Sequence, residues 1–294
     1  MPAPMTTCGD LAELVRAPAA LSVPGDALVG AAATGDLSTR AVTRTAGLAA
    51  ASVCLYWAGM AANDWADRDL DAAERPHRPI PSGRVRPGDA FGLAVGLTAA
   101  GCVLAGFSGG RSAAATASVL AGTVWAYDVA LKGTVVGPAA MAACRGLDVL
   151  LGASAGRMRR AALPALTIAA HTYTVTALSR YEVHGASRGL PAATLIATAA
   201  VTTLATAPAR GQSSRRLLTG AFAAGYAALY GAPQLRAAAE PSAANVRRAV
   251  GAGITSLPAL QGTLAAGLGM PGAAAALALA AAVGRRLAAR TAVT

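Results

Sequence analysis

The feature that most constrains this chain is a series of seven stretches without any Asp, Glu, Lys or Arg. They cover residues 45–63, 90–110, 112–127, 161–179, 189–209, 217–235 and 249–284. A helix needs about 20 apolar residues to cross the hydrocarbon core of a bilayer, so each stretch suits a membrane-spanning helix. The last stretch is too long for one span, and residues 267–272, rich in glycine and with a proline, predict a break within it.

Two further apolar segments carry isolated charges. Residues 11–34 contain Arg16 and Asp26, and residues 134–155 contain Arg145 and Asp148. With these segments the chain is expected to form nine or ten transmembrane helices, because the segment near 245–266 begins with two arginines and could lie partly in the membrane interface. We therefore predict one all-α integral membrane domain over residues 1–294, in a multi-pass protein of the cell membrane.

Composition and charge agree with a membrane location. The chain is 54% hydrophobic and 13% charged, whereas soluble domains are about 25% charged. This excludes a disordered chain, a coiled coil and a typical soluble enzyme. The net charge of +11 comes from basic residues between apolar stretches, so the bilayer, not nucleic acid, is the expected partner. Counting these residues favours a cytoplasmic N-terminus and cytoplasmic ends for spans two, four and six.

Acidic residues cluster where the second predicted span ends. At 100° per residue, Asn63, Asp64, Asp67 and Asp71 share one helical face, whereas Asp69 points away from it. Carboxylates this close repel one another unless a cation neutralises them. Oxygen ligands without His or Cys suit Mg²⁺. The spacing therefore indicates a magnesium site, and the alternative is a solvated helix end paired with nearby arginines.

Several segments resemble the UbiA superfamily of intramembrane prenyltransferases. The acidic motif just described is similar to the first aspartate-rich motif of that family, and residues 74–85 are similar to the loop that follows it. Residues 127–132, with Tyr127, Asp128 and Lys132, and residues 145–152 match further family positions. The resemblance extends to the sixth predicted span and is closest to the EboC-like branch.

The resemblance implies a UbiA-like bundle of helices around a central cavity. It implies that Mg²⁺ assists the departure of diphosphate from a prenyl diphosphate, and that the prenyl group passes to a lipophilic acceptor, aromatic acceptors included. It assigns metal binding to Asp64, Asp67, Asp71 and Glu182. It assigns catalysis to Asp64, Asp67, Lys132 and Arg145. It assigns substrate binding to Asn63, Arg78, Tyr127, Arg180 and Glu182.

The second acidic motif of the family is reduced in this chain. Family members usually carry two or three carboxylates at the end of the sixth span, whereas residues 179–186 contain one, Glu182. The neighbouring Arg180 can bind part of the diphosphate charge. We expect Glu182 to face Asp64 and Asp67 across the cavity, on the same side of the membrane.

The same residues also suit other functions. An intramembrane terpene cyclase would use this site without an acceptor, and a non-enzymatic protein could bind or move a prenylated metabolite. Lys132 could be an interface anchor, and Arg145 could pair with Asp148 one helical turn away. Arg16 and Asp26 are interpreted as interface and packing residues, not as catalytic ones.

Overall fold

The computed structural model describes residues 6–36, 38–209 and 213–279, and these residues form helices and connections without a β-strand. The principal helices are α1 (Cys8–Leu14), α2 (Pro24–Thr34), α3 (Thr39–Ala66), α4 (Arg68–Glu74), α5 (Pro87–Ala126), α6 (Gly137–Ala153), α7 (Ala162–Ser179), α8 (Gly189–Thr206), α9 (Ser213–Tyr226), α10 (Ala232–Ala239) and α11 (Ala243–Gly267). Short π-helices follow α5 and α9, at Tyr127–Leu131 and Ala227–Gly231. The predicted all-α fold is confirmed.

Four helical segments in the described part of the chain are long and apolar enough to cross a membrane. They are Thr39–Ala66, Pro87–Leu131, Met158–Ser179 and Gly189–Thr206. The first three contain at least one predicted span each, and Gly189–Thr206 covers most of the span predicted at 189–209. The chain therefore has the helical architecture of an integral membrane protein, and the count of nine or ten spans stays a prediction.

The long helix α5 is a tight antiparallel pair of helices. Gly110 has a φ of 75° and a ψ of −163°, a conformation that glycine adopts without steric cost. The indole Nε1 of Trp125 donates to the hydroxyl of Thr98 at 3.0 Å, and the rings of Trp125 and Phe91 lie 5.9 Å apart between centroids. These contacts join the two arms, so the predicted division between residues 90–110 and 112–127 is confirmed.

The predicted first span, residues 11–34, is not one continuous helix. It is divided into α1, a 3₁₀-helix over Ala17–Ser22, and α2. Arg16 is left-handed, with a φ of 49°, and Pro24 begins α2, so the helical hydrogen-bond ladder is interrupted twice. α2 alone is roughly 16 Å long, about half the hydrocarbon thickness of a bilayer. The prediction of one uninterrupted membrane-spanning helix over these residues was therefore wrong.

The first helix is held against the loop that follows α4. Arg84 donates to Asp10 Oδ1 and to Glu13 Oε2, both at 2.7 Å. Hydrogen bonds from the hydroxyl and the backbone N–H of Thr7, together with the Arg84 guanidinium, lower the pKa of Asp10 to about 2. The ionised carboxylate of Asp10 thus attaches α1 to this loop at neutral pH.

The last predicted span, 249–284, is interrupted as expected. α11 ends at Gly267, Gly269 is left-handed with a φ of 86°, and a new helix covers residues 271–279. Only glycine adopts such a backbone readily, which explains why the chain turns there. The predicted break is confirmed, and the rest of this span lies outside the described residues.

Helices α2 and α6 cross with their backbones in contact. A Cβ atom on Gly152 would lie 2.1 Å from the carbonyl oxygen of Ala27, and one on Gly30 would lie 1.9 Å from that of Val149. Small residues permit this approach between membrane helices. The crossing places the charged residues of α2 beside those of α6.

Candidate active site

The acidic motif lies where α3 passes into α4. The Asp67 N–H donates to the Asn63 carbonyl at 2.9 Å and the Asp71 N–H to the Asp67 carbonyl at 2.8 Å, so helical register continues across the boundary. Asp64 and Asp71 are 5% and 1% exposed, whereas the side chain of Asp69 is 88% exposed. The prediction that Asp69 points away from the other carboxylates is confirmed.

Arg78, in the loop after α4, joins the two buried carboxylates of the motif. Its Nη1 lies 2.6 Å from Asp71 Oδ2 and 3.3 Å from Asp64 Oδ1. Arg75 Nη1 lies 3.2 Å from the other oxygen of Asp71. Because buried charges require paired, hydrogen-bonded partners, these contacts hold the loop over the motif. The arginine pairing of the alternative interpretation is confirmed for Arg75 and Arg78, whereas its solvated helix end is not, because Asp64 and Asp71 are buried.

Arg16 reaches the motif from the N-terminal segment. Its Nη2 lies 3.1 Å from Asp64 Oδ1. Its left-handed backbone is uncommon for a residue with a side chain. Arg16 thus contacts the acidic motif, which its interpretation as an interface residue did not predict. The available signal was an arginine within an apolar segment, which is costly in a membrane unless it serves a function.

The end of α5 supplies a cation and a further buried carboxylate. Lys132 Nζ lies 2.6 Å from Asp67 Oδ1, and the side-chain amide of Asn63 donates to Asp128 Oδ1 at 3.1 Å. The Lys132 N–H bonds the Tyr127 carbonyl in a π-helical turn, a conformation frequent at functional sites. The alternative of Lys132 as an interface anchor was wrong, because its ammonium group points into the motif.

The end of α7 approaches the same region through Arg180. Its guanidinium donates to the backbone carbonyl of Thr134, which follows Lys132 closely in the chain. Lys132 in turn contacts Asp67 at the end of α3. The ends of α3, α5 and α7 therefore lie on one side of the bundle, which is the arrangement expected from the charge count.

Glu182 is half-buried in the connection after α7. Burial raises the pKa of its carboxyl group, and Arg247 donates to its backbone carbonyl at 3.2 Å. Among the described residues, no hydrogen bond or ion pair joins Glu182 to the first motif. Its position facing Asp64 and Asp67 across the cavity stays a prediction.

An apolar cavity of about 120 Å³ begins beside Asp128, whose carboxylate bonds Asn63 of the acidic motif, and extends into the bundle. Tyr127 and Asp128 line it near the motif, and Arg145, Asp148 and Ser52 line its inner end. The apolar part of its wall comes from α3, the second arm of α5 and α6, with Leu55, Met60, Leu120, Val124 and Met141. The charged side chains of the motif thus lie at one end of a cavity whose wall is mainly apolar.

Arg145 binds α2 at the inner end of this cavity. Its Nη2 lies 2.8 Å from Asp26 Oδ2, and the other oxygen of Asp26 accepts from the Gln261 amide at 2.7 Å. Asp148 accepts instead from the Ser52 hydroxyl at 2.5 Å. Pairing of Arg145 with Asp148 was therefore the wrong alternative, and Asp26 is the partner of a buried charge.

The motif offers oxygen ligands for a divalent cation, and these oxygens are paired with cationic side chains. Within the described ranges, no three His, Cys, Asp or Glu side chains converge as a metal site requires. Asn63 uses its amide nitrogen on Asp128, so its oxygen is the atom available to a metal. Hard oxygen donors suit Mg²⁺. The donor chemistry of Asn63, Asp64 and Asp67 therefore fits that ion once a ligand takes over their arginine and lysine partners.

The fold and the site define an integral membrane protein with a charged site at the mouth of an apolar cavity. The sequence profile of the UbiA prenyltransferase family matches residues 23–245. Because this match covers most of the chain, the protein belongs to the UbiA prenyltransferase family. Its assignment to the EboC-like branch stays a prediction.

Curated relatives match over shorter stretches. The digeranylgeranylglyceryl phosphate synthase of Methanothrix thermoacetophila is 41% identical over 95 residues, which are 32% of this chain and 35% of that protein. The synthase of the same name from Ignicoccus hospitalis is 37% identical over 122 residues, 42% and 39% of the two chains. The bacteriochlorophyll synthase 33 kDa chain of Rhodobacter capsulatus is 41% identical over 69 residues, 24% and 22%. The chain thus matches well under half the length of each relative.

Two solved structures share the fold over nearly the whole chain. A digeranylgeranylglyceryl phosphate synthase structure has a TM-score of 0.68 at 15% identity and covers 88% of this chain and 98% of its own. The apo structure of a UbiA homologue from Aeropyrum pernix K1 has a TM-score of 0.63 at 20% identity and covers 89% and 96%. At such identities the likeness establishes the fold alone.

Proposed function

We propose that this chain transfers a prenyl group from a prenyl diphosphate to a lipophilic acceptor in the cell membrane, with Mg²⁺ as cofactor. The proposal depends above all on the convergence of three cations, Arg16, Arg78 and Lys132, on one acidic motif beside an apolar cavity. A prenyl diphosphate complements this arrangement, because its head is anionic and its tail is apolar.

The reaction breaks the bond between a diphosphate oxygen and the allylic carbon, and the bonding electrons leave with the diphosphate. Cations on the departing oxygens stabilise the negative charge that develops in the transition state. Arg16 and Arg78 present planar guanidinium groups that can each bind two oxygens, and Lys132 adds a compact charge. These cations pair with Asp64 and Asp67, and the diphosphate would exchange with those carboxylates.

Asn63, Asp64 and Asp67 would hold the Mg²⁺ ion, since they offer hard oxygen atoms. When bound, this ion would supply Lewis-acid stabilisation to the diphosphate. Asp71 has a different part in the proposal, because both of its oxygens bond arginines. It acts as a positioning residue that fixes Arg78, and Glu182 with Arg180 remains the candidate for the second side of the diphosphate.

The cavity would hold the allylic end of the substrate away from water, which would otherwise capture the carbocation. Tyr127 lines the cavity next to the motif, and an aromatic face stabilises a neighbouring positive charge. Arg145 lies at the inner end and is neutralised by Asp26. In this proposal Arg145 closes the cavity and does not bind diphosphate.

The acceptor would attack the allylic carbon with an oxygen or a ring carbon. The names digeranylgeranylglyceryl phosphate synthase and bacteriochlorophyll synthase, borne by the relatives, support a lipophilic acceptor. A terpene cyclase would use the same head-group site without an acceptor. A protein that only binds or transports a prenylated metabolite would leave the diphosphate intact, and the reduced second motif around Glu182 favours that alternative.

Purified protein in lipid nanodiscs, given radiolabelled geranyl, farnesyl and geranylgeranyl diphosphates with and without Mg²⁺, tests the proposal. Diphosphate release and labelled lipids are measured. We expect release that requires Mg²⁺ and falls about 100-fold in Asp67→Asn, since charge stabilisation of that size is typical of such groups. Asp69→Asn is the matched control, because its carboxylate is exposed beside the same helix end.

The products separate the alternatives. A labelled lipid that forms only with added membrane extract supports the transferase, and a cyclic hydrocarbon formed without an acceptor supports the cyclase. Tight binding of intact diphosphate without release supports the binding protein. Labelled diphosphate that neither binds nor reacts, at any tested chain length, refutes the assignment of this site.

A further inference from the structure

The opposite end of α3 carries a second charged pocket. A cavity of about 290 Å³ lies between the ends of α2, α3 and α6, lined by Arg44, Arg157 and Arg160. Arg44 and Asp64 lie at opposite ends of one helix, roughly 30 Å apart at 1.5 Å per residue. This separation equals the hydrocarbon thickness of a bilayer, so the pocket lies at the other membrane surface.

The acidic residue in the wall of this pocket is Asp36. Hydrogen bonds from the backbone and the side chain of Ser38, with Arg44 nearby, lower the pKa of Asp36, so its carboxylate is ionised at neutral pH. The bond from the Ser38 N–H is 3.0 Å long. This one negative charge faces three arginines, and the pocket therefore keeps a positive excess.

The arginines of the pocket are free to bind an anion. Arg160 donates to the Thr34 carbonyl at the C-terminal end of α2, at 3.2 Å, and still has other N–H groups available. In the part of the chain that the structure describes, neither Arg44 nor Arg157 has a carboxylate within ion-pair distance. An arginine cluster of this kind matches the geometry of phosphate oxygens.

An apolar groove of about 420 Å³ opens from this pocket along the outer surface between α2 and α3. Pocket and groove share Ala31, Asp36, Ala41 and Thr45, so they are continuous. The remaining wall of the groove consists of apolar side chains, namely Leu28, Val42, Ala46, Ala49 and Met270. A ligand that fills both must carry an anionic head and an apolar chain.

We propose that this pocket and groove bind an anionic phospholipid of the leaflet opposite the acidic motif. Its phosphate lies among Arg44, Arg157 and Arg160, and one acyl chain lies along the groove. Basic pockets between transmembrane helices bind anionic head groups in this way. The site is separate from the prenyl diphosphate site, so this proposal does not depend on the proposed transferase activity.

Native mass spectrometry of the whole chain in detergent, titrated with phosphatidylglycerol or phosphatidylcholine, tests the proposal. We expect phosphatidylglycerol to bind about fivefold or more tightly, and Arg44→Gln/Arg157→Gln to abolish that preference, because each arginine near a lipid head group contributes a factor of about this size. Arg159→Gln is the matched control, since this exposed arginine lies in the same loop without lining the pocket.

Two further arms identify the ligand. Ala46→Phe fills the groove but keeps every arginine. It should therefore weaken the binding of phosphatidylglycerol and leave the affinity for inorganic phosphate unchanged. If the double arginine variant does not fold, Ala46→Phe alone still tests the proposal. Equal affinity for the two lipids, an equal loss in Arg159→Gln, or unchanged phospholipid binding in Ala46→Phe overturns the proposal. Inorganic phosphate binding that phosphatidylglycerol does not displace also overturns it.

Discussion

Replacement of Arg145 by glutamine tests whether this buried arginine supports the fold or the substrate. Asp26 is 0% exposed and Arg145 is 15% exposed, so the change leaves an interior carboxylate with the Gln261 amide as its partner. Removing one partner of a buried ion pair costs about 3–5 kcal/mol. For a chain of this size the melting temperature should fall by on the order of 10 °C.

The companion change Asp26→Asn removes the charge that Arg145→Gln leaves unpaired. The double variant should therefore recover more than half of the lost stability, a coupling energy of about 2 kcal/mol or more in a double-mutant cycle. Arg68→Gln is the matched control. Its ion pair with Asp69 is 3.5 Å long and exposed, and such pairs contribute about 0–1 kcal/mol.

The assay combines thermal melting of the detergent-solubilised variants with labelled prenyl diphosphate binding at a temperature where each variant is folded. The fold-supporting role predicts coupled losses of stability and unchanged affinity per folded molecule. If Arg145→Gln keeps its melting temperature but loses diphosphate binding, Arg145 touches the substrate, as the family resemblance implies. Strictly additive stabilities for Arg145→Gln and Asp26→Asn would also refute the reasoning.

Three other perturbations have defined outcomes. Arg78→Gln should weaken prenyl diphosphate binding about tenfold or more, because it removes the charged link between two buried carboxylates. Titration with labelled diphosphate measures the affinity, and an affinity equal to that of the wild type would contradict the prediction. Gly152→Val should block folded expression, since any Cβ meets the α2 backbone, whereas Gly122→Ala faces open space and should express normally. The pKa of Asp10 is about 2 in the folded protein, below its value in the unfolded chain. Its contact with Arg84 should therefore persist down to about pH 4 and be lost between about pH 4 and 2. Hydrogen exchange of α1 measures this loss, and a loss above pH 5 would contradict the prediction.

The helices could be predicted from sequence wherever one local property decides the outcome. Charge-free stretches mark α3, α7 and α8, Arg111 divides the two arms of α5, and glycines mark the turn at Gly269, because charge, hydropathy and backbone freedom act over a few residues. The structure of residues 11–34 could not be predicted in this way. Their hydropathy suits a span, but Arg16 and Pro24 interrupt the helix, and the contact that compensates for the break is made with another helix.

The sequence predicts which charged residues form the site, but it predicts only some of the ion pairs between them. Helical spacing correctly separated the buried Asp64 and Asp71, which Arg78 links, from the exposed Asp69, because neighbours on one helix follow from geometry. The partner of each charge depends on tertiary contacts that no local pattern contains. Arg145 therefore bonds the distant Asp26 and not Asp148 one turn away, since the crossing of α2 and α6 brings that carboxylate closer.

The π-helical turn after α5 makes the charged site depend on backbone register as well as on side-chain identity. The bond from the Lys132 N–H to the Tyr127 carbonyl encloses one residue more than an α-helical bond would. If the same residues adopted α-helical register, with no residue lost, Lys132 would be rotated by about 100° relative to Tyr127. Lys132 would then leave Asp67, so the contact between α5 and the acidic motif depends on the extra residue that this turn holds, even though every charged residue would still be in the chain.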